Sequence, residues 1–585
     1  MKKDWTKYFV ILINILAIIC GYVGITSWQY DCSPSQSFTS CYGLNLVTPK
    51  ASSANFFGFS QYISALAILA VIYTVTDFKY KFRISVAPGL MQNFSYIGMG
   101  AIGTLTLAKD LWFAEKWKIP ACLANPNYWQ FFLALLFLII VFLWLYWACI
   151  KPPVFSLSNY SKYQNSTYEI LFRGNTYELN VLASEICNSA NSLIHAYSTK
   201  RDSKHKNIFE QACDDLLFSL GNKKFCKQVA INHPETAASL LCAMKEQNKI
   251  VYPLSFFIRN ISTESIFNTE SILYHEDNGF ESGLLGSTKP FSTFVYGNTF
   301  LISQLGNEMV SPFDIKLNLC MKWNHKQYEV YCRVALLFFE HCLKEKRLYD
   351  SFNIMPKIFD TISTIIINTY KIDTYNNFLE SDEYEKLKIS VEFVQNYIQL
   401  LQKYNIKPIL LRNKKESDKC FYDDIVSLMC DVITNASCVK SEKHRHIIQH
   451  NLVWSDFFKN DVTNRTLSVV QRKLRRVIYN EIKNMEDLPH YLNARLLSIS
   501  LNVMGVTLSD YKNGQFYTKQ YYALHKAILP IVKKNYLSWF EEYPDIAEIM
   551  LGGSLNFDKK NKRIVKTYAK TFERTPKQEY LPLNG

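Results

Sequence analysis

One short polar segment holds the side chains best suited to chemistry: His275, Glu276 and Asp277, followed by Glu281 and Lys289. Such groups on a glycine-containing loop could hold a divalent cation or transfer protons. The three carboxylates are near neighbours along the chain, so they need not converge in space. Glycine also stands where a zinc-peptidase helix needs its second histidine. A structural loop and a partner-recognition loop therefore stay open as alternatives to a catalytic site.

A histidine pair is the second candidate. His446 and His450 are four residues apart on a predicted helix, so they would share one face and could bind one metal ion. The glutamate of the zinc-peptidase pattern is missing between them, and no third ligand stands out. A pH response near a membrane and an ordinary polar helix face are the alternatives. We expect no bound metal and no other cofactor.

Basic residues on a later predicted helix form the third candidate: Arg465, Arg472, Arg475 and Arg476. A face of this kind could contact the phosphates of lipid or nucleic acid. Binding of single-stranded nucleic acid usually requires interleaved aromatic side chains, and only Tyr479 is close. We therefore expect lipid or phosphate contact ahead of nucleic acid, with a solvated helix face as the simplest interpretation.

Motifs of the common enzyme classes give little support for catalysis. The sequence contains neither a Walker A phosphate loop nor a G-x-S-x-G nucleophile elbow. Many nucleases and transferases also lack short motifs, so an enzyme stays open. The sequence favours a protein that is not an enzyme, and it identifies no reaction.

The elements that would position these residues follow four apolar stretches near the amino terminus: 8–28, 56–78, 84–108 and 128–150. A bilayer core of about 30 Å needs roughly 20 mainly apolar residues to be spanned by a helix. Lysine and arginine in the short loops favour a cytoplasmic location for both termini, although the loop at 109–127 weakens this assignment. We expect a four-helix transmembrane bundle in residues 1–150, located in the inner (plasma) membrane.

The third apolar stretch carries small and polar residues at steps of four, three, four and three: Gly89, Asn93, Tyr96, Gly100 and Gly103. These steps place them on one helix face. Small residues allow helix backbones to approach closely. The pattern predicts a packing seam, with a polar pore or ligand groove as the alternative.

Cysteine positions suggest one disulfide. The chain has 15 cysteines, and Cys32 and Cys41 share a loop that is predicted to face an oxidising compartment. These two could form a bond. The scattered cysteines of the body contain no C-x-x-C pair, so we interpret them as small buried apolar side chains.

The rest of the chain predicts a large, irregular and mostly helical cytoplasmic domain. A linker at 151–166 precedes a β-hairpin, whose strands would be 168–172 and 176–181. Residues 167–315 form one subdomain with an irregular glycine- and aromatic-rich part, 316–553 form a helical subdomain, and 554–585 form a basic polar tail. Helices are predicted, among others, at 323–344, 354–370, 383–403, 422–439 and 462–483.

Together these patterns predict a multi-pass membrane sensor or effector. Its helical body would bind a protein partner or a cue and act on the membrane helices, and the chain could form homo-oligomers. A residue bias typical of AT-rich bacterial DNA suggests a bacterial source. The uncharged third apolar stretch and the small size of the membrane part beside the body suggest an effector that permeabilises the membrane, as in bacterial antiphage systems. The alternatives are a membrane-anchored enzyme with its site in 270–297, and a membrane scaffold. The lipid bilayer is the expected partner, and nucleic acid is not.

Overall fold

The computed structural model describes residues 46–47, 56–116, 119–120, 125–198, 206–276, 290–307, 310–347, 353–407, 421–459, 465–508, 519–568 and 576–584. The fold is 75% helical, which confirms the prediction of a mainly α chain. Two compact units divide the chain, the amino-terminal unit at 1–192 and the carboxyl-terminal unit at 193–585.

Within its described residues, the amino-terminal unit combines apolar helices with shorter amphipathic ones. In chain order these are α1 (Phe59–Val75), α2 (Phe78–Ser85), α3 (Gly89–Ala114), α4 (Pro126–Leu145), α5 (Tyr160–Arg173) and α6 (Thr176–Ala196). A π-helical turn, Tyr146–Ile150, continues α4. Strand β1 (Leu46–Val47) pairs with β2 (Ile119–Pro120) in antiparallel orientation.

The prediction of a four-helix transmembrane bundle is wrong. Among the described residues, only Pro126–Ile150, which is α4 with its π-helical turn, is long and apolar enough to cross a membrane. The predicted span 56–78 contains the 17-residue α1. At 1.5 Å per residue such a helix rises only about 26 Å. The predicted span 8–28 lies outside the described residues.

The predicted span 84–108 fails for a different reason. Its first residues, Ile84 and Ser85, end α2, and α3 begins only at Gly89. Helix α3 has the length to cross a bilayer, but glycine, serine and threonine dilute its apolar residues. Near its end it also carries Lys109 and Asp110, whose side chains form an ion pair of 2.6 Å.

The predicted β-hairpin at 168–181 is also wrong, because this segment belongs to helices α5 and α6. The predicted hairpin turn between 172 and 176 is the connection between these two helices. Asn175 accepts from the backbone N–H of Glu178 at 2.9 Å, and the Glu178 carboxylate accepts from the N–H of Asn175 at 3.1 Å. This reciprocal pair is a capping box, which starts a helix.

The carboxyl-terminal unit begins with short helices: α7 (Ile208–Ser219), α8 (Lys223–Asn232), α9 (Pro234–Glu246), α10 (Ser255–Phe267), α11 (Ile272–His275), α12 (Pro290–Tyr296), α13 (Thr299–Asn307) and α14 (Leu317–Cys320). A 3₁₀ turn, Tyr252–Leu254, leads into α10. Most described residues of the predicted irregular part, 251–315, therefore lie in helices, and described connections without helix remain, for example at 268–271 and 310–315.

Longer helices follow: α15 (His325–Lys344), α16 (Met355–Ile365), α17 (Asp382–Lys403), α18 (Phe421–Ala436), α19 (Glu442–Arg445), α20 (Ser455–Phe457), α21 (Arg465–Asn484), α22 (Tyr491–Met504), α23 (Lys519–Glu542) and α24 (Pro544–Met550). Two 3₁₀ segments, Ile366–Thr374 and Phe378–Glu380, precede α17, and a π-helical segment, His446–Trp454, precedes α20. The helices predicted between 323 and 483 are present, but the α-helix within 354–370 ends at Ile365, and 462–464 lie outside the described residues.

Helices α15 and α17 form the centre of this unit. The rings of Phe339 and Tyr397 stack with centroids 4.2 Å apart, and the buried hydroxyl groups of Tyr328 and Ser390 lie 2.7 Å apart. Stacked aromatic pairs add about 0.5–1.5 kcal/mol beyond the burial of their surface. The pattern of apolar residues that predicted these helices also builds this core.

The predicted polar tail contains a sheet instead. Strands β3 (Leu555–Asp558), β4 (Arg563–Thr567) and β5 (Gln578–Pro582) form an antiparallel sheet in the order β3-β4-β5. Ile564 pairs with Phe557 on one side and with Leu581 on the other. Ile564 and Leu581 are buried. A few alternating apolar residues suffice to form this sheet. The lysines around them make the segment polar on average, so the sequence predicted a polar tail.

Candidate functional site

Glu276, one of the five catalytic candidates in its segment, has a structural role. Its buried carboxylate accepts the backbone N–H groups of Phe291 at 2.8 Å and Ser292 at 3.2 Å, and the Ser292 hydroxyl also donates to it. These groups begin α12, where the unpaired N–H groups of a helix favour a negative charge. Burial raises the pKa of Glu276, while these hydrogen bonds and the charge of Arg333 act in the opposite direction.

The other members of this cluster are not brought to Glu276 by any described contact. His275 ends α11 and is exposed. Asp277, Glu281 and Lys289 lie outside the described residues. A catalytic or metal-binding role for the cluster therefore stays a prediction. Within the cluster, the Glu276 carboxylate already binds the first N–H groups of α12.

His446 and His450 do lie together, in the π-helical segment His446–Trp454. Their ring centroids are 5.3 Å apart and their planes are nearly perpendicular. Burial lowers the pKa of His450, the Asn451 side chain raises it, and the charges of His446 and Lys566 lower it further. No group of three His, Cys, Asp or Glu side chains in the described part of the chain is arranged to hold a metal ion.

The predicted basic face lies on α21. Arg475 and Arg476, with Tyr479, line a recess of about 290 Å³ against α23. Burial lowers the pKa of Arg475, and the positive charges of Arg476 and Arg472 lower it further. Arg465 is the first residue of α21 and is exposed. Contact of these arginines with lipid or phosphate stays a prediction.

The predicted stripe of small residues lies on α3, but its members have different surroundings. A Cβ atom at Gly103 would lie 2.7 Å from Cε1 of Tyr62, whereas a Cβ atom at Gly100 would meet no atom of the described residues within 4 Å. Tyr96 is 68% exposed. Gly89 begins α3 and Asn93 lies one turn later. Gly103 is thus a packing position, and Gly100 faces open space.

The sequence analysis missed the contact of Gly98, where an added Cβ atom would lie 2.7 Å from Cδ1 of Ile140 on α4. Gly98, Gly100 and Gly103 also match the letters G-x-G-x-x-G of a dinucleotide-binding turn. That turn requires a strand-to-helix connection. Here the three glycines lie inside α3, and two of them allow neighbouring helices to approach closely.

The predicted Cys32–Cys41 disulfide lies outside the described residues. Half of the ten cysteines that the structure describes are buried: Cys213, Cys226, Cys320, Cys332 and Cys342. Burial raises the pKa of Cys213 and of Cys320 to about 12 in each case. Their thiols are therefore protonated at neutral pH and pack as small apolar side chains.

A contact that the sequence analysis did not identify connects the end of the apolar helix to a polar helix. Arg83 on α2 donates from Nε and Nη2 to Oε1 of Glu185 on α6, at 2.9 and 2.8 Å. Its Nη1 donates to the carbonyl of Ala148, in the π-helical turn that ends α4, at 3.0 Å. We call these three residues the junction. One guanidinium therefore ties α2, α4 and α6 together.

Local sequence explains why α2 presents Arg83 inward. Asp77 caps the helix by accepting the N–H of Lys79 at 3.1 Å. The segment Phe82–Ile84 is buried, and the ring of Phe82 packs edge-on against Tyr163 of α5 at 5.8 Å. Buried charges need a partner and complete hydrogen bonding. Glu185 and the Ala148 carbonyl provide both for Arg83.

A buried amide reinforces the junction. The side-chain N–H groups of Asn159 donate to the carbonyl of Val86 at 2.9 Å and to the carbonyl of Val154 at 3.0 Å. Asn159 is 3% exposed and Val86 is fully buried. These bonds hold the chain that leaves α2 against the chain that leaves α4. The two segments are thus fixed by several hydrogen bonds rather than by one ion pair.

The other end of the site is the apolar surface of α4. Leu133 and Ile140 are buried on one face, where they pack in a cluster with Phe57, Tyr62 and Ile102. The large side chains on another face are uncovered: Phe131 is 62%, Leu138 50%, Phe142 61% and Leu145 39% exposed. Soluble proteins rarely leave such a continuous apolar strip uncovered.

The comparisons with known proteins give no guidance on this arrangement. No protein family, no curated protein and no solved structure matches the chain. Its function is therefore inferred from the contacts of its own residues.

Proposed function

We propose that this chain is a membrane-attached sensor or effector, whose helical body responds to a partner or cue and alters the packing of the amino-terminal unit. In this proposal α4 crosses the bilayer and holds the chain at the membrane. The junction passes a change between α6 and the end of α4. The proposal assigns no reaction to the protein.

The single observation that carries the proposal is the contact set of Arg83. This side chain binds the carboxylate of Glu185 and the backbone of Ala148 at once, and it is 7% exposed. A buried, fully hydrogen-bonded ion pair holds one geometry, because breaking it leaves a charge without water or partner. A shift of α6 would therefore strain the end of α4 directly.

The uncovered strip on α4 supports membrane attachment. In a bilayer, Phe131, Leu138 and Phe142 would contact acyl chains, which removes the cost of exposing them to water. A folded protein partner could cover the same strip. The partition of the protein between membrane and soluble fractions distinguishes these two coverings.

Two measurements on cells that express the chain test the proposal. The first is flotation of membranes in a density gradient, in which the wild-type chain and the Arg83→Met variant should both float. The second is membrane potential after induction, which the wild-type chain should reduce and Arg83→Met should preserve. A control variant, Lys322→Met, alters an exposed basic residue of the carboxyl-terminal unit outside the candidate sites and should behave as the wild type.

The outcomes separate the alternatives. Depolarisation that persists in Arg83→Met contradicts transmission through the junction. A chain that floats but never changes the potential fits a membrane scaffold better than an effector. Improved survival of expressing bacteria under phage challenge, lost in Arg83→Met, would support the defence role.

A further inference from the structure

An apolar groove of about 490 Å³ lies in the amino-terminal unit, between α1, α3 and the end of α4. Helix α1 contributes a single face, since its lining residues follow the spacing of a helix: Leu66, Leu69, Ala70 and Tyr73. Met99 and Gly100 of α3 and Trp144 of α4 form other walls. Ligand-binding cavities commonly have volumes of about 300–1,000 Å³ and mainly apolar walls.

One lining residue of the groove, Tyr62, is held against α3. The hydroxyl of Tyr62 donates to the Met99 carbonyl at 2.7 Å, and the Tyr62 ring fills the space beside Gly103. One turn earlier on α3, no described residue comes within 4 Å of a Cβ atom placed at Gly100. An elongated apolar group could enter from that side and end at Tyr62.

A cation stands beside the groove. The Nζ atom of Lys81 lies 6.0 Å from the ring centroid of Tyr73, which lines the groove, and donates to the Thr74 carbonyl at 3.1 Å. Within the described part of the chain Lys81 has no ion pair. The nearby carboxylate of Asp77 is engaged by the Tyr177 hydroxyl and by the start of α2. A positive charge at an apolar groove complements an anionic amphiphile.

A second polar group in the wall lacks a partner. Trp147 lines the groove, and its buried indole N–H has no hydrogen-bond partner among the described residues. A buried donor without an acceptor costs about 1–3 kcal/mol. Because this N–H is closed off from solvent, the groove contacts the aromatic ring of Trp147 rather than its donor.

We propose that the apolar groove holds one acyl chain of an anionic phospholipid, whose phosphate pairs with Lys81. The acyl chain contacts the α1 face and the space beside Gly100, and Tyr62 sets its depth. This inference rests on the proposed function, because a phospholipid reaches the groove only when the amino-terminal unit lies in a bilayer.

Photocrosslinking of the full-length chain tests this assignment. The protein is reconstituted in phosphatidylcholine vesicles that contain a few per cent of phosphatidylglycerol with a diazirine on one acyl chain. Parallel vesicles carry the same probe on phosphatidylcholine. Adducts are mapped by mass spectrometry, and we expect them in 66–73 and 95–100. One basic residue near the headgroups contributes about 1 kcal/mol, so phosphatidylglycerol should label these segments about fivefold more strongly.

Two pairs of variants sharpen the test. Gly100→Leu should fill the groove and remove the adducts, whereas Ala101→Leu places the same side chain at an exposed neighbour that does not line it. Lys81→Glu should reduce labelling by phosphatidylglycerol to the phosphatidylcholine level. Lys116→Glu changes the same charge beyond the far end of α3 and should have no effect.

Each contrary result has a distinct meaning. Equal labelling by the two lipids, or adducts that persist in Gly100→Leu, would overturn the assignment. Protein that floats with the vesicles but carries no adduct in the groove would also overturn the assignment. A protein segment that fills the groove would give this result, and membrane attachment would still hold. Protein that does not float contradicts the proposed function and this inference together.

Discussion

Arg83 and Glu185 are 102 positions apart in the chain and form a buried ion pair, with Nη2 2.8 Å from Oε1. Their side chains are 9% and 2% exposed. The same guanidinium binds the backbone that ends the apolar helix α4. The pair therefore connects the proposed membrane helix to α6 through one residue.

Removing one partner of this pair should destabilise the amino-terminal unit. Arg83→Met leaves the Glu185 carboxylate buried without a counter-charge, which costs about 3–5 kcal/mol. The expected result is a lower midpoint of thermal unfolding in detergent micelles, and loss of protease resistance in residues 56–198.

The matched control is the double variant Arg83→Met with Glu185→Leu. An apolar pair of similar volume leaves no unpaired charge, so it should recover most of the loss. Additive losses from the two substitutions would show that the side chains do not act as a pair.

Substitutions at two glycines of α3 should differ in effect. Gly103→Leu places atoms against the Tyr62 ring, 2.7 Å from its Cβ position, and overpacking of this kind costs about 1–3 kcal/mol. Gly100→Leu enters open space and should leave the unfolding midpoint unchanged or slightly higher. The two variants carry the same side chain on the same helix, so equal destabilisation would contradict the described packing of α1 against α3.

Lys566 should make stability depend on pH. Its pKa is lowered to about 8, mainly by burial; Glu579 raises the pKa, and the charges of Arg445 and Lys577 contribute to lowering it. Below pH 8 the lysine is charged in both states, so the folded chain bears the full penalty of burying the charge. Between pH 8 and the ordinary value of 10.5 only the unfolded chain holds the proton, so stability rises with pH in this interval.

Lys566→Met removes this penalty. At pH 7 we expect the free energy of unfolding of the variant to exceed that of the wild type by roughly 3 kcal/mol. The variant should therefore also unfold at a higher temperature. The difference should shrink as pH rises and disappear near pH 10.5. A difference that stays constant across this interval would attribute the effect to packing, or to the loss of the Lys566 contact with the Tyr568 ring, 4.4 Å away.

Glu276 should act through α12. Glu276→Ala removes the acceptor for the first N–H groups of that helix, at a cost of about 0.5–2 kcal/mol. Hydrogen exchange of residues 290–296 should become faster, while Glu276→Gln, which keeps an acceptor oxygen, should change it less. Unchanged exchange in Glu276→Ala would contradict the capping role and reopen the interpretation of this carboxylate as a reactive group.

The sequence predicted those parts of the fold that depend on contacts between residues close together in the chain. The long amphipathic helices α15, α17 and α21 were predictable because their apolar residues repeat at helical spacing. The hairpin prediction failed because Asn175 and Glu178 cap a helix where turn-like residues suggested a strand connection. The sheet β3-β5 depends on pairing between strands such as Ile564 with Leu581, which no local pattern announces.

The candidate sites show the same limit. Spacing along the chain correctly placed His446 beside His450. It could not reveal that Glu276 caps α12, because Glu276 and Phe291 are 15 positions apart in the chain. In the sequence, Arg83 is one of the basic residues in the short loops between apolar stretches, and such residues predict membrane orientation. Its partner lies 102 positions away, so the ion pair was not visible in the sequence. Gly100 and Gly103 share a face in the pattern, and only coordinates separate the open position from the packed one.

The most direct test of the account asks whether the uncovered face of α4 contacts lipid. The photoreactive residue p-benzoylphenylalanine replaces Leu138, which is 50% exposed, in the full-length chain expressed in cells. Asp545, an exposed residue of α24, serves as the control position. Irradiation of washed membranes should yield lipid adducts at position 138 and none at position 545. Recovery of the chain in the carbonate-washed supernatant, with no lipid adduct at position 138, would contradict membrane attachment through α4.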